Sequence, residues 1–200
     1  MTKGLRTRER IVDRAMRLAS RDGLAGLTIG GLADELEMSK SGLFAHFRSK
    51  DELQRQVLEA AAEQFVETVV RPALAAPRGV PRIRALVENW IAWGADAERL
   101  PGGCIFVAAA IELDDQPGPL RDYLVETQRQ WLATLARAAD IAVAEGHLRA
   151  DLDRDQFAFE VYSLMLGLHH QMRLLGDPRA LDRARAAIER LLRDGAPARS

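Results

Sequence analysis

The chain has 200 residues, enough for one or two domains with a sizeable core, and 48% of its side chains are hydrophobic. Its 28 basic and 29 acidic residues nearly cancel, no run of about 18 apolar residues predicts a membrane span, and the N-terminus lacks the layout of a signal peptide. The single cysteine, Cys104, excludes a disulfide framework and a cysteine-based zinc site, and the cytoplasm is the expected compartment.

The positive charge of the chain is concentrated at its N-terminus. Residues 1–54 carry 10 basic and 8 acidic side chains, and residues 1–21 alone carry seven basic and two acidic ones. A first helix is predicted over residues 6–22, where Ile11 and Ala15 begin an apolar face at helical spacing. This local excess of positive charge is what nucleic-acid binding requires.

Two short helices separated by a tight turn are predicted between Thr28 and Lys50. Thr28 and Ser39 are each suited to cap a helix, and the apolar residues that follow them recur at helical spacing. Ser49 begins a capping box with Glu52, which starts a third helix at Lys50. Two short helices across such a turn form the helix-turn-helix shape, whose second helix enters the major groove of DNA.

The exposed face of the second short helix carries two long polar side chains, Lys40 and His46. We expect these to reach base edges or nearby phosphates, and expect the hydroxyl and ammonium groups around them to bind phosphates. Gly42 lies inside the helix, where glycine costs about 1 kcal/mol relative to Ala. It either lets the backbone approach DNA closely or packs tightly on a neighbouring helix. The predicted DNA-binding residues are Thr28, Lys40, Ser41, Gly42, Phe44, His46 and Lys50.

The stretch from Arg8 to Leu53 resembles the DNA-binding domain of the TetR family of bacterial transcriptional repressors. It covers about a quarter of the chain, and its motifs are specific as a combination. Glu37 stands where the family usually has Gly in the turn, and Phe44 stands where it often has Tyr. A left-handed residue other than Gly is strained by about 1 kcal/mol or more, which leaves the type of turn open. The matching positions are Ile11, Ala15, Gly23, Thr28-Ile29, Leu32-Ala33, Ser39 to Phe44, His46-Phe47 and Ser49 to Leu53.

A longer helix is predicted from Lys50 to about Val70, where Pro72 and later prolines break the pattern. The rest of the chain is predicted to be helical, and the resemblance implies that it binds a ligand and dimerises. The prediction is therefore an all-α protein, with a three-helix helix-turn-helix domain over residues 1–52 and a larger helical ligand-binding and dimerisation domain over residues 53–200. The further helices are predicted at 81–98, 103–114, 119–145, 154–175 and 178–194.

Large apolar side chains, including all three tryptophans, are concentrated in the first half of the second domain. Ligand pockets are mostly apolar and aromatic, whereas ordinary core is the alternative for any one of these residues. Because the resemblance implies a ligand domain, and because no cluster of Arg or Lys accompanies these residues, we expect a small apolar or aromatic effector. The predicted pocket residues are Phe65, Trp90, Trp93, Cys104, Phe106 and Trp131.

The last two predicted helices carry wide apolar stripes. One stripe can cover the core of the domain, but exposed apolar patches of the remaining size are uncommon on monomers. Two such helices meeting their symmetry mates form a four-helix bundle, which the resemblance also implies. The predicted homodimer interface consists of Val161, Leu164, Met165, Leu168, Met172, Ile188, Leu191 and Leu192.

No cofactor, metal site or catalytic group is predicted. His169 and His170 are adjacent on a helix and point about 100° apart, so they chelate one metal poorly. Glu112, Asp114 and Asp115 crowd near a helix end. They form either a solvated helix terminus or a magnesium-binding cluster like those of helical enzymes that act on diphosphates.

Three functions follow from these patterns. The first is a ligand-responsive DNA-binding repressor, which the resemblance favours. The second is a DNA-binding regulator without a small-molecule ligand, tuned by a protein partner or by a redox change at Cys104. The third is a helical enzyme or carrier, for which the acidic cluster is the only support. We expect double-stranded DNA as the main partner and no enzymatic activity.

Overall fold

The computed structural model describes residues 3–198, and every regular element in that range is helical, as predicted. A π-helical turn, Val66–Val70, lies between the fourth and fifth α-helices. No helix in this range combines the length and apolar character needed to cross a bilayer. The α-helices are α1 (Lys3–Gly26), α2 (Ile29–Glu35), α3 (Lys40–Phe44), α4 (Lys50–Phe65), α5 (Arg71–Leu74), α6 (Val80–Ala95), α7 (Ile105–Leu113), α8 (Pro119–Ala144), α9 (Arg154–Arg173) and α10 (Ala180–Asp194).

The described residues up to Phe65 form one compact unit with Gly94–Glu126. Within this unit α1 packs against α4 and α7, and α2 packs against α3. The unit divides the chain differently from the predicted domains at 1–52 and 53–200, because residues 94–126 join the N-terminal helices. Its fully buried side chains include Ile11, Leu24, Leu27, Leu32, Leu43, Phe47, Leu53 and Leu58.

Helix α1 is interrupted near its end by Gly23. This residue has φ 80° and ψ 164°, a conformation that glycine adopts without the steric cost of a Cβ. The interruption coincides with the predicted end of the first helix at residue 22, and a final turn then runs to Gly26. The backbone N–H groups just after Gly23 lose their helical partners and need others.

The second unit consists of Val66–Trp93 and the described residues from Thr127 onward. Its first segment stays helical through Pro72, where a break was predicted. Proline has no N–H and its ring excludes the carbonyl four residues earlier. The wider π-helical turn, Val66–Val70, lies directly before α5. Its hydrogen bonds join residues five apart, so the chain stays helical without the bond that Pro72 cannot donate.

Ion pairs join α6 to α10 in the second unit. The Arg84 guanidinium donates to both carboxylate oxygens of Glu189 at 2.6 and 2.8 Å, and Arg185 donates to both oxygens of Glu88 at 2.9 and 2.5 Å. The hydrogen bond from Arg84 lowers the pKa of Glu189. Because these groups are largely exposed, they add little stability, and the buried apolar face of α10 contributes more. That face consists of Ala180, Ala184, Ile188 and Leu192.

Gly102, just before α7, lies against the backbone of α1 in the first unit. A Cβ there would lie 1.6 Å from the carbonyl oxygen of Ser20 and 2.7 Å from the Cα of Arg21. These backbone atoms cannot rotate away as a side chain can. We therefore expect Gly102→Ala to destabilise the protein by at least about 2 kcal/mol and to lower its melting temperature by roughly 4–8 °C.

Gly94→Ala provides the matched control for Gly102→Ala, because Gly94 belongs to the same unit and a Cβ there meets no atom within 4 Å. We expect this change to be neutral or to stabilise by up to about 1 kcal/mol. Thermal denaturation followed by circular dichroism measures both variants. Equal melting temperatures for the two would show that Gly102 is not packed as described.

Candidate nucleic-acid interface

The predicted capping residues of the helix-turn-helix are present. The side-chain oxygens of Thr28 and Ser39 each accept a hydrogen bond at 3.0 Å from the backbone N–H three residues on. Ser49 Oγ accepts from the Glu52 N–H at 3.1 Å, which starts α4 as predicted. The Glu52 carboxylate, however, accepts from the Arg48 N–H at 3.0 Å, so the second half of the predicted capping box is shifted by one residue.

The turn between α2 and α3 is left-handed at Glu37, which settles the question that the sequence left open. Glu37 has φ 52° and is the one non-glycine residue with positive φ among those described. Its N–H donates to the Asp34 carbonyl at 3.2 Å, and the Met38 N–H donates to the Ala33 carbonyl at 2.9 Å. This pair of bonds is the Schellman pattern that ends helices, here with Glu in place of Gly at a cost of about 1 kcal/mol.

Helix α3, the recognition helix, is anchored on one side and open on the other. Leu43 is fully buried, whereas Lys40 and Ser41 are exposed and Phe44 is 52% exposed. His46, just beyond the end of the helix, is half-buried. The residues predicted to contact DNA therefore lie at the accessible surface, around a helix whose position is fixed by the core.

Gly42 and Gly30 each lie close to a side chain of the motif. A Cβ at Gly42 would lie 3.0 Å from the Ser39 hydroxyl and 3.9 Å from Met38 Cε, and no other described atom outside the helix backbone comes within 4 Å. Packing on a neighbouring helix is therefore not what requires Gly42. A Cβ at Gly30 would lie 3.4 Å from Lys40 Cε, so the Lys40 side chain lies along the start of α2.

Two cations lie at the start of α4. Lys50 Nζ donates to the Ala25 carbonyl oxygen at 2.7 Å, and two of its three N–H groups remain for a phosphate. Arg48 is exposed and forms no ion pair with any residue that the structure describes. It was not among the predicted DNA-binding residues, although its place directly before the capping Ser49 was a usable indication.

Part of the N-terminal positive charge is used inside the unit. The Arg8 guanidinium pairs with the Glu52 carboxylate at 3.1 Å and lies 5.2 Å from the ring centroid of Phe47. Arg14 pairs with Glu35 of α2. These arginines hold α1 against the helices of the motif, so the simple excess of basic residues overstates the charge available to DNA.

The residues predicted to line a ligand pocket fall into two sets. Phe65, Cys104 and Phe106 are buried in the first unit, where the two phenylalanine rings meet edge to face with centroids 5.9 Å apart. All three tryptophans are buried in the second unit, with exposed fractions of 3–7%. Each set is apolar, as an aromatic ligand or an ordinary core requires.

Cys104 sits at the N-cap position of α7 and is only 2% exposed. Reactive cysteines are accessible and have a positively charged environment, whereas buried ones are inert. The burial of this thiol therefore weakens the hypothesis of a redox-tuned regulator.

The adjacent histidines of α9 are in unlike environments. Burial lowers the pKa of His169, and the charges of Arg173 and His170 lower it further, whereas His170 itself is exposed. Among the described residues, no group of three or more His, Cys, Asp or Glu side chains is placed to hold a metal ion.

The predicted dimer residues are mostly covered within their own unit. Their exposed fractions are 5% or less at five positions, while Leu164 and Leu191 are half-buried and Met172 is 38% exposed. A side chain that is covered within its own protomer offers no surface to a second chain. Five of the predicted residues therefore belong to the core of their own protomer: Val161, Met165, Leu168, Ile188 and Leu192.

Several large apolar side chains on α9 and directly after it are exposed. Phe159 is 62% exposed, Leu174 is 71% exposed and Leu175 is 59% exposed, and Leu166 between them is half-buried. Phe159 and Leu174 were missed because sequence periodicity groups residues by face but does not say which face the chain itself covers. The spacing of Phe159, Leu166 and Leu174 was the indication available in the sequence.

The sequence matches two family models. The one described as bacterial regulatory proteins, tetR family, matches residues 11–57, and the one described as tetracyclin repressor-like, C-terminal domain, matches residues 79–188. The first covers the helix-turn-helix and the start of α4. The second covers more than half of the chain by itself.

Known relatives agree with these matches. The HTH-type transcriptional repressor DhaR of Mycobacterium sp. (strain GP1) is 25% identical over 152 residues, which is 76% of this chain and 74% of that protein. A TetR transcriptional regulator from Chloroflexus aurantiacus J-10-FL superposes with a TM-score of 0.85 at 28% identity, over 96% of each chain.

The same fold occurs in AibR, whose crystal structure is a complex with isovaleryl coenzyme A and operator DNA. Its TM-score is 0.74 at 20% identity, over 92% of this chain and 97% of that one. Together with the two family matches, the capped recognition helix and the all-helical fold lead to one assignment. The chain belongs to the TetR family of bacterial transcriptional regulators, with an N-terminal helix-turn-helix DNA-binding domain and a C-terminal helical domain.

Proposed function

We propose that this regulator is a repressor that acts in the cytoplasm, binds a pseudo-palindromic operator as a homodimer and is released by a small apolar or aromatic effector. The recognition helix carries the proposal, since it is capped, anchored by buried Leu43 and exposed along the side of Lys40 and Phe44. A helix of this kind fits the major groove. The relative DhaR is a repressor, which supports the same direction of regulation.

The accessible groups of the motif, some exposed and some half-buried, have proposed contacts. Lys40 and His46 reach base edges or nearby phosphates, and Phe44 makes an apolar contact of the kind that a thymine methyl offers. The missing Cβ of Gly42 lets the DNA backbone approach the helix. Phosphate contacts fix the register of the protein on the duplex but carry no sequence information. They come from Thr28, Ser41, Arg48 and Lys50.

The homodimer proposal rests on the exposed apolar face of α9. Phe159, Leu166 and Leu174 lie within an arc of about 80° along this helix and the residue that ends it, and they share this arc with the exposed polar residues Ser163 and His170. Large apolar side chains that are exposed together mark interaction surfaces. We propose that this face packs against its symmetry mate, and that the buried residues beneath it hold it rigid.

The effector proposal rests on the two buried aromatic sets and on α4. This helix carries Phe65 at one end and Lys50, beside the recognition helix, about 22 Å away at the other. A ligand that changes the packing around Phe65 and Phe106 therefore acts on the element that also carries a proposed phosphate contact. AibR, which has the same fold, was crystallised with isovaleryl coenzyme A and operator DNA, which supports the binding of a small-molecule ligand by a regulator of this fold.

The two alternative functions have weaker support. The enzyme or carrier hypothesis depended on the acidic cluster, and the Glu112 carboxylate is engaged by two backbone N–H groups. The redox-tuned regulator depended on Cys104, which is buried. A thermal-shift screen of small compounds distinguishes regulation by a small molecule from regulation by a protein partner.

A thermal-shift screen of small apolar and aromatic compounds against the full chain tests the effector proposal. A compound that raises the melting temperature is then titrated while tryptophan emission is followed, which reports on the second unit alone because all three tryptophans lie there. By linkage, such a compound and the operator must weaken each other's binding to the protein by the same factor, typically about 5- to 150-fold.

Trp90→Phe and Trp131→Phe test whether the tryptophans take part, and they avoid the cavity that Ala would leave at these buried positions. We expect either change to weaken the compound and to leave ligand-free DNA binding nearly intact. Variants that bind every stabilising compound as the wild type does would exclude the tryptophans from the pocket, and stabilising compounds that leave DNA affinity unchanged would contradict the effector proposal.

A further inference from the structure

The Glu112 carboxylate on α7 binds the backbone of α1. Its Oε1 accepts a hydrogen bond from the Leu24 N–H at 3.0 Å, and its Oε2 accepts from the Ala25 N–H at 2.8 Å. These are two N–H groups that follow the interruption at Gly23. The carboxylate therefore replaces helical bonds that the interruption removes, with charge-assisted bonds that are stronger than neutral ones.

Gly23 is shaped to admit this carboxylate. A Cβ at Gly23 would lie 2.3 Å from Glu112 Oε1, and the residue has φ 80°, which disfavours other side chains. The same two residues, Leu24 and Ala25, are also held by α4. The Leu24 carbonyl accepts from Gln54 Nε2 at 2.6 Å, and the Ala25 carbonyl accepts from Lys50 Nζ, so α7 binds their N–H groups and α4 binds their C=O groups.

The segment held in this way leads directly into the DNA-binding motif. Thr28, the N-cap of α2, follows Ala25 by three residues, and the buried Leu27 between them bonds back to the Leu24 carbonyl at 3.2 Å. Helix α7 is thus bonded to the segment that leads into α2, and α2 packs against the recognition helix.

We propose that Glu112, through its bonds to the Leu24 and Ala25 N–H groups, is a positioning residue for operator recognition. This inference rests on the proposed function. The C-terminal family match spans residues 79–188 and so includes α7, yet α7 packs within the unit of the DNA-binding helices. A second contact supports the docking of this region on α1, because the Gly102 N–H donates to Ser20 Oγ at 3.3 Å.

A purely electrostatic role for Glu112 predicts the opposite effect on DNA. Removal of a negative charge reduces repulsion of the phosphates, so Glu112→Gln would then bind DNA more tightly. If Glu112 positions the motif, the same change weakens operator binding. A glutamine oxygen still accepts from one N–H, but its NH2 group opposes the other, and Glu112→Ala retains neither bond. The two variants have the same charge, so any difference between them comes from hydrogen bonding.

The experiment compares the wild type with Glu112→Gln, Glu112→Ala and the control Asp115→Asn. Asp115 is exposed near the same helix end, so its change removes the same charge without touching α1. Operator duplexes are first selected from a random-sequence pool with the wild type. Affinities for a selected duplex and for an unrelated duplex are then measured by fluorescence anisotropy, together with their salt dependence.

We expect Glu112→Ala to bind the selected duplex about 5- to 150-fold more weakly, in the range typical of coupling within one protein, with Glu112→Gln between it and the wild type. Binding to the unrelated duplex should change little, since phosphate contacts do not depend on the exact presentation of the helix. Asp115→Asn should bind both duplexes no more than about twofold more tightly, because exposed charges are screened. A variant that merely unfolds loses both affinities together.

Amide hydrogen exchange provides a readout that does not need DNA. The Leu24 and Ala25 N–H groups should exchange about tenfold or more faster in Glu112→Ala than in the wild type or in Asp115→Asn. Glu112 variants that match Asp115→Asn in both duplex affinities would overturn the inference and leave the proposed function standing. A wild type that selects no sequence from the pool would overturn the proposed function, and this inference with it.

Discussion

Replacing Phe159 with Glu is expected to raise the dimer dissociation constant by about 30-fold or more, since loss of a large aromatic side chain from an interface costs about 2 kcal/mol or more. Phe159 is 62% exposed on α9, so the substitution leaves the protomer's own core intact. It places a charge on the proposed interface. Leu168→Glu is unsuitable for this purpose, because Leu168 is only 5% exposed and its replacement would unfold the unit itself.

Operator affinity should fall along with dimer affinity. When the two recognition helices are no longer joined, each half-site is bound separately and the gain from linked binding, about 10²- to 10⁴-fold, is lost. Analytical ultracentrifugation measures the first effect and a gel-shift titration measures the second. Leu74→Glu is the control, because Leu74 is 56% exposed in the same unit but lies on α5. If both variants dimerise and bind as the wild type does, the interface is not on α9.

Replacing Lys40 with Ala is expected to weaken binding to the operator by about 1–3 kcal/mol, or about 5- to 150-fold, as loss of a good base contact does. Lys40 is an exposed cation on the recognition helix, and its side chain lies beside Gly30 at the start of α2. The preference for one base pair of the operator should relax, while non-specific binding should remain nearly unchanged.

Arg48→Ala is the comparison for Lys40→Ala, because it also removes one exposed cation from the motif. As a phosphate contact, Arg48 should contribute to every sequence alike, and its loss should reduce the slope of log affinity against log salt by about one unit. Gel-shift titrations on the operator and on mutated operators separate the two patterns. If Lys40→Ala weakens all sequences equally, Lys40 binds a phosphate and the assignment of base contact is incorrect.

The helix-turn-helix was predictable because its determinants are local. Thr28, Ser39 and Ser49 cap their helices through bonds that span three residues, so the sequence contains all the information needed. Glu37 was recognised as unusual, but the type of turn was left open, since only the structure shows that the two Schellman bonds offset the strain of a left-handed Glu.

Other features depended on contacts that local patterns do not record. Periodicity identified α9 as apolar, yet it assigned to the partner side chains such as Val161 and Met165 that the protomer covers itself. Glu112 was interpreted as part of a solvated helix end or of a metal site. Its actual partners are backbone N–H groups 88 and 87 residues away in the chain, which charge clustering along the sequence does not indicate.

Selection of duplexes from a random-sequence pool by the wild-type protein tests the central claim most directly. The proposed function predicts enrichment of a pseudo-palindrome whose half-sites lie about one DNA turn apart, roughly 34–36 Å, with one chain bound to each half-site. The mass of the complex gives the number of chains, and affinity for the enriched site should exceed non-specific affinity by about 10³-fold or more. A pool that stays random after repeated rounds, or a single chain bound to an asymmetric site, would contradict the account.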